Sequence, residues 1–306
     1  MRRMLRVIAT LGLVASLAAC GNKPDPAGGK GSGEGTAAAP AGPAKCPPGN
    51  VVKDGACVAV VTPENIAAVT REQSRLDELA KLLDQIDTVG APIELFDGIR
   101  QLEPWQALKA RSAKIAALDA LAAGMNNGVK TLRTFKASLG EASARIGNLK
   151  GELDKLMTDT GSARRIEDVR AQISAQVRTA IEPLAAQVQD TIQNAVQPLA
   201  IQLSDLSDVV VSGCTMAKLS GGGDKMKELC ARAKETFTSG LAYIGDLQGR
   251  PAHVFLDVTS GLERQLDQLI DAETRKLVDA AQVKISESLK LPAGGGAAGS
   301  AAGSGN

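Results

Sequence analysis

Residues 166–210 read IEDVRAQISAQVRTAIEPLAAQVQDTIQNAVQPLAIQLSDLSDVV and carry apolar side chains at a fixed interval. Two series repeat every eleven positions, and they consist of Ile166, Val177, Val188, Leu199 and Val210, and of Ile173, Leu184, Ala195 and Leu206. Eleven residues over three turns give about 3.67 residues per turn, so both series lie on one nearly straight face of a helix. We expect Pro183 and Pro198 to kink this helix, because each removes a helix hydrogen bond.

The eleven-residue repeat resembles the amphipathic helices of exchangeable apolipoproteins, and this resemblance implies binding to a lipid surface. The polar face of the repeat is rich in glutamine. Its glutamines are Gln172, Gln176, Gln187, Gln189 and Gln193. Glutamine attracts anionic lipid less than lysine does, which weakens the lipid interpretation. Helices inside a bundle carry the same kind of repeat, so both interpretations stay open at this point.

Further helices are predicted before and after this stretch. Thr62-Pro63-Glu64 has the sequence of a helix start, with an N-cap, a proline in the first position and an acidic first turn. Apolar residues then follow at heptad spacing, namely Val69, Leu76, Leu79, Leu83 and Ile86. A longer run from Leu108 to Leu156 would span roughly 75 Å as one helix. Gly124 and the segment 126–128 are the points where it is expected to break or kink.

The composition favours long, thin helices over a compact core with large rings. Aromatic residues make up 2% of the chain, so leucine, isoleucine, valine and alanine must fill most of the helix contacts. We therefore predict an all-α fold of elongated antiparallel helical hairpins, a coiled-coil bundle over residues 61–292. A compact bundle of shorter, kinked helices is the alternative.

The N-terminus has the features of a secretion signal. Arg2, Arg3 and Arg6 precede or interrupt an apolar stretch that ends at Ala19 and is too short to span a bilayer comfortably. Leu17-Ala18-Ala19-Cys20 resembles the lipobox of bacterial lipoproteins. The resemblance implies that residues 1–19 are a signal peptide and that Cys20 becomes the acylated first residue. An ordinary signal peptide with a chance cysteine is the alternative.

The resemblance also implies a location and a membrane contact. In the sorting pattern of enteric bacteria, an aspartate after the lipidated cysteine marks retention in the inner membrane. This chain has Gly21 at that position, which resembles the pattern of outer-membrane lipoproteins. We thus expect a lipid-anchored protein of the cell envelope. Residues 20–45 are rich in glycine, proline and alanine and predict a flexible linker, and residues 293–306 predict a disordered tail.

The four other cysteines predict two disulfides in an oxidising compartment. Cys46 and Cys57 bracket an Asp54-Gly55 turn signal, which predicts a disulfide-clasped hairpin over residues 46–60; a metal knuckle would need more ligands. Cys214 and Cys230 are equally distant from Gly222 in a glycine-rich turn. Because residues equidistant from such a turn face each other in an antiparallel hairpin, we expect these two to pair; two free thiols are the alternative.

The sequence offers little catalytic chemistry. His253 is the single histidine, which excludes a histidine-rich metal site. Loss of the signal peptide would leave 32 basic and 34 acidic residues, a net charge of −2 that gives no reason to expect nucleic-acid binding. We expect no enzyme activity, no metal and no cofactor except the covalent diacylglycerol and acyl groups on Cys20.

Two functions remain in competition. The first is an envelope-anchored structural or adaptor lipoprotein that presents a long helical rod to a protein partner or to a second copy of itself. The second is an apolipoprotein-like protein that binds or handles lipid through its amphipathic helices. In both cases the membrane is reached through the lipid anchor.

Overall fold

A computed structural model describes residues 45–101, 103–110, 117–159, 163–219 and 223–290. The strands in this part of the chain are β1 (Asn50–Lys53) and β2 (Ala56–Ala59). The helices are α1 (Pro63–Leu82), α2 (Asp87–Arg100), α3 (Glu103–Lys109), α4 (Leu118–Thr158), α5 (Ile166–Thr191), α6 (Gln197–Leu219), α7 (Asp224–Leu247), α8 (Arg250–Gln265) and α9 (Ala272–Lys290). The predicted all-α bundle of long antiparallel helices is confirmed.

Helix α1 begins as its sequence predicts. The Thr62 side chain accepts a hydrogen bond from the Asn65 backbone N–H, and the Asn65 side chain accepts one from the Thr62 N–H. Pro63 occupies the first turn, where its missing N–H costs nothing. A 3₁₀ turn, Leu83–Ile86, then joins α1 to α2, so the two helices form one long segment.

Helix α4 lies at the centre and runs antiparallel to the α1–α2 segment. Near the middle of α4, the Ser143 hydroxyl donates to Asp77 over 2.6 Å. Further toward the start of α4, Arg133 pairs with Asp87 at 3.0 Å. Residue numbers in these contacts rise along the α1–α2 segment as they fall along α4, so the two segments are antiparallel.

The α5–α6 segment packs along another side of α4, again antiparallel. Gln172 of α5 donates to Glu152 of α4 over 2.6 Å. Toward the other end of α4, Gly128 lies against Leu199, because a Cβ added to this glycine would come within 2.6 Å of the Leu199 Cγ. Helix α4 continues through Gly124 and Gly128, where a break or kink was expected. Both glycines instead allow α6 to approach closely.

The two prolines of the eleven-residue repeat behave differently from each other. Pro183 lies within α5, which continues past it. Pro198 follows a π-helical turn, Ile192–Val196, in which the Gln197 N–H donates to the Ile192 carbonyl. A proline ring collides with the carbonyl four residues earlier, and the wider π turn moves that carbonyl away. Pro198 is therefore accommodated by one inserted residue.

The remaining helices complete the bundle. Helix α7 packs on α6 and α2, and α8 packs on α1 and α5. Helix α9 lies beside α5 and α8, and the Gln282 side chain of α9 donates to Thr259 of α8 over 3.1 Å. Gly249, with a φ of 78°, makes the left-handed turn between α7 and α8. The largest fully buried side chains include Phe96, Phe135, Phe237 and Phe255, so all four phenylalanines lie in the core.

Candidate functional site

The predicted lipidation residue, Cys20, and the predicted linker up to residue 44 lie outside the described residues. Lys45 is the first residue described. The predicted signal peptide and residues 291–306, which include the predicted tail, also lie outside the described residues. The anchor therefore stays a prediction from sequence.

The β-hairpin that follows is built as its sequence predicts. Cys46 and Cys57 form a disulfide, with their Cα atoms 5.4 Å apart. Asp54 and Gly55 have φ angles of 49° and 81°, and two consecutive positive values are typical of the type I′ turn that suits a two-residue hairpin. The disulfide and the turn together fix a hairpin that would be too short to be stable alone.

This hairpin is attached to the bundle through backbone hydrogen bonds. The Gly49 N–H donates to the Leu156 carbonyl at the end of α4 over 2.8 Å, and the Val52 N–H donates to the Arg164 carbonyl over 2.9 Å. Val51 is fully buried. Gly49 has a φ of 75°, and a Cβ there would lie 2.6 Å from the Val61 carbonyl oxygen. The hairpin thus closes the end of the bundle where α4 ends and α5 begins.

The second disulfide staples α6 to α7. Cys214 and Cys230 are bonded, with their Cα atoms 5.6 Å apart. Gly240 of α7 lies near Pro92 of α2. Helix α2 ends at Arg100, which is eight residues after Pro92, and α7 runs antiparallel to α2. By the same register, Cys230 lies just beyond the end of α2. The disulfide therefore joins two helices at a level that α2 does not reach.

The eleven-residue apolar face is packed inside the bundle. Each of its nine residues, from Ile166 to Val210, is 3% exposed or less. Helix α4 covers this face along α5, through the π turn and along α6. A buried face of this kind is core, so in the folded bundle it offers no apolar stripe to a lipid surface.

An open groove lies between α5 and α9. It has a volume of about 490 Å³. Four alanines contribute to its lining, together with Leu277 and Ile285; they are Ala185, Ala186, Ala280 and Ala281. Glu182 and Asp190 stand on the α5 side and Lys284 on the α9 side. The groove is apolar where the alanines line it and charged along its rim. Such a groove suits a helix or peptide that carries both apolar and charged side chains.

A polar cluster fixes the start of α9 against α5. The Asp271 carboxylate accepts a hydrogen bond from the Thr274 N–H over 2.6 Å and pairs with Arg178 of α5 at 2.8 Å. The Thr274 N–H, reinforced by the Arg178 guanidinium, lowers the pKa of Asp271 to about 2. The Asp271 N–H donates to Ser174, a buried serine of α5. This cluster was not predicted from the sequence, although Asp271 followed by Thr274 is a recognisable cap.

Two buried polar groups on the α1 side were also not predicted. Glu72 lies between Val69 and Leu76 at a heptad position, and its carboxylate sits where a side chain on Gly261 of α8 would collide with it. Burial raises the pKa of Glu72, and pairing with Arg75 at 2.8 Å opposes that shift. The heptad spacing was the available signal, since a glutamate in an apolar series needs a small residue opposite it.

Tyr243 holds the junction between α1 and α2. Its hydroxyl donates to the Leu82 carbonyl over 3.1 Å. Burial, with the neighbouring charges of Asp84 and Asp87, raises the pKa of Tyr243 to about 12, so it stays a donor at physiological pH. A shallow surface pocket beside this junction is lined by acids of the 3₁₀ turn and of α2 that already pair with bases of α4.

His253 is exposed and lies beside Gly249. Within the described ranges, no group of three or more histidine, cysteine, aspartate or glutamate side chains is arranged to hold a metal ion. In the same ranges, every helix is too short or too polar to cross a bilayer.

Comparison with known proteins gives no relative. No protein-family model, no curated protein and no solved structure matches this chain significantly.

Proposed function

We propose that this chain is an envelope-anchored lipoprotein whose helical bundle acts as a structural or adaptor module for association with proteins. The burial of the eleven-residue apolar face against α4 supports this proposal most directly. With that face inside, the bundle presents helices with charged and amide side chains. Such surfaces recognise other protein surfaces through shape and charge more readily than they enter a membrane.

The order of segments fits an anchored module. The lipobox-like sequence at Cys20 supplies an anchor, in which each buried methylene of the acyl chains contributes ~0.8 kcal/mol. A linker of about 25 glycine-rich residues has an average end-to-end distance of ~25–30 Å. The clasped hairpin then joins the bundle through Gly49 and Val52. The anchor would hold the bundle near the membrane and leave its helical surface accessible.

The lipid-handling alternative requires a different state of the same helices. Residues 166–210 would have to leave α4 in order to turn their apolar face outward, and the tightly packed Gly128–Leu199 contact would be lost. The Cys214–Cys230 disulfide would restrain this opening only at the far end of α6. Lipid handling therefore requires the core of the bundle to open, whereas the adaptor proposal requires no change in the folded bundle.

A labelling experiment tests the anchor. The full chain and its Cys20→Ser variant are produced in a bacterial host with a clickable fatty acid. The expected result is label on the parent and no label on Cys20→Ser. The Cys46→Ser variant, which also removes a cysteine, should keep the label. Equal label on the parent and on Cys20→Ser would contradict the anchor.

The adaptor part is tested in the same cells with a photo-crosslinking residue at Val283 and, separately, at Ile201. These are two of the exposed large apolar side chains. Adducts with protein are expected. Adducts with lipid alone at both positions would contradict the adaptor proposal and favour lipid handling.

A further inference from the structure

Helix α9 has an exposed face with an ordered arrangement of charge. The exposed positions in the described part of α9 are Ala272, Glu273, Lys276, Asp279, Ala280, Val283, Lys284 and Glu287. Val283 is 58% exposed, more than any other large apolar side chain in the described part of the chain. Val283 follows Lys276 by seven residues and Ala280 by three, and Glu287 follows Val283 by four. This is the spacing of residues that meet a partner helix.

The face is complementary to itself when it is read in the opposite direction. If two copies of α9 lie antiparallel, with the two-fold axis between Ala281 and Gln282, the charged residues of the central seam face the opposite charge. Lys276 then faces Glu287 of the second copy, and by symmetry Glu287 faces Lys276 of the second copy. At the centre, Ala280 faces Val283 of the second copy, which pairs a small side chain with a larger one.

These charges are free to make such contacts. The ion pairs at the start of α9 use Asp271, Glu273 and Arg275. Among the described contacts, Lys276, Asp279, Lys284 and Glu287 form no ion pair.

The groove beside α9 provides space for a second helix. Ala280 and Lys284 belong both to the exposed face of α9 and to the wall of the groove, and Ala185 and Ala186 line its α5 side. Alanines allow close approach of a neighbouring helix. Glu182 and Asp190 on the α5 rim add negative charge toward which a lysine of an incoming α9 would be drawn.

We propose that α9 pairs with α9 of a second copy of this chain, antiparallel across a two-fold axis, and that this pair seats beside the α5–α9 groove. The inference deepens the proposed adaptor function by naming its partner as a second copy, and it rests on that function. A pairing made by one helix from each copy is small and weak in dilute solution. Anchoring both copies to one membrane would raise their effective concentration and favour the pair.

Charge reversal tests this pairing, because in a two-fold pair each substitution acts twice. The full chain is purified oxidised, and its mass is followed by sedimentation over a wide concentration range. The expected result is a concentration-dependent dimer in the parent. Lys276→Glu alone and Glu287→Lys alone should each weaken it by about tenfold, since attraction becomes repulsion at two places. The double variant Lys276→Glu with Glu287→Lys should restore it.

Rescue by the double variant separates self-pairing from a change in net charge or a general loss of stability. Lys234→Glu, which reverses an exposed lysine on α7, is the matched control and should leave the dimer unchanged. A monomer at every concentration, or a dimer that the single reversals do not weaken or the double reversal does not restore, would overturn the proposal. Any of these results would leave the fatty-acid labelling of Cys20 unaffected, so the two proposals fail separately.

Discussion

The two ends of the bundle are stabilised by different means. At the hairpin end, where α4 ends and α5 begins, the clasped β-hairpin, α1, α8 and α9 surround the long helices, and polar contacts such as Asp271–Arg178 fix them. At the stapled end, α6 and α7 extend beyond α2 and carry the Cys214–Cys230 disulfide. Each end thus carries one disulfide, but the two act differently. Cys46–Cys57 closes a hairpin that hydrogen bonds then attach to the bundle, whereas Cys214–Cys230 joins two long helices directly.

The largest expected effect is at the stapled end. The double variant Cys214→Ser with Cys230→Ser should lower the free energy of unfolding by about 3 kcal/mol, because the bond closes a loop of this size in the unfolded chain. Amide exchange should accelerate mainly in residues 209–219 and 223–232. The matched variant, Cys46→Ser with Cys57→Ser, should leave exchange there unchanged. Equal acceleration by both variants would show that the two ends are not held independently.

The next effect is at the hairpin end. Gly49→Ala should lower the free energy of unfolding by about 2–3 kcal/mol, because it combines a left-handed φ with a collision against the Val61 carbonyl oxygen. Gly55→Ala is the control, since its φ is also positive but nothing lies within 4 Å of the added Cβ. It should cost only about 1 kcal/mol. Denaturant unfolding measures both, and equal losses would contradict the close docking of the hairpin.

Several of these features follow directly from the sequence. The type I′ turn was predictable because Asp-Gly is among the few pairs that accept two positive φ angles. The Cys214–Cys230 pair was predictable because both residues are eight positions from Gly222. The common face of the eleven-residue apolar series was predictable because its period matches a helix, although the sequence left open whether that face meets lipid or other helices. Each of these inferences depends on local geometry that the sequence itself defines.

Other features depend on what lies opposite and were not predicted from the sequence. Gly124 and Gly128 were expected to weaken α4, yet they receive Gln202 and Leu199 from α6. Pro198 was expected to kink a helix, and the structure places a π turn directly before it, which the sequence did not predict. The sequence does not distinguish a glycine that breaks a helix from a glycine that allows a second helix to pack closely, because the second helix is not known in advance. The register of α5–α6 on α4 does not follow from the periodicity alone.

A pair of glycine substitutions sharpens this point on α4. Gly128→Ala should lower the free energy of unfolding by about 1–2 kcal/mol, because the added Cβ would meet Leu199. Gly140→Ala should raise it by about 0.5–1 kcal/mol, because Gly140 is exposed, nothing lies within 4 Å of the added Cβ and alanine favours a helix. Thermal unfolding distinguishes the two signs. Stabilisation by both substitutions would contradict the close α4–α6 contact.

The expected effect at Asp271 depends on pH. The folded-state pKa of Asp271 is about 2, below its ordinary value of 3.8, so its contribution to stability is present above pH ~4 and is lost as the pH falls toward 2. Asp271→Asn should therefore destabilise the bundle by about 1 kcal/mol at pH 7, because its carboxylate is partly solvated, and by much less at pH 2. Asp224→Asn, at an exposed position, is the control. A difference that does not shrink on acidification would contradict the ion pair.

Residues 166–210 contribute their apolar face to the core of a closed bundle, and this face does not open onto lipid. Hydrogen–deuterium exchange of the full Cys20→Ser chain, with and without anionic vesicles, tests this closure. We expect amides of 166–210 to be as strongly protected as those of 129–156 in α4, and to be unchanged by vesicles. Fast exchange in 166–210 that slows only when vesicles are added would contradict the claim and would identify the apolar face as a lipid-binding surface.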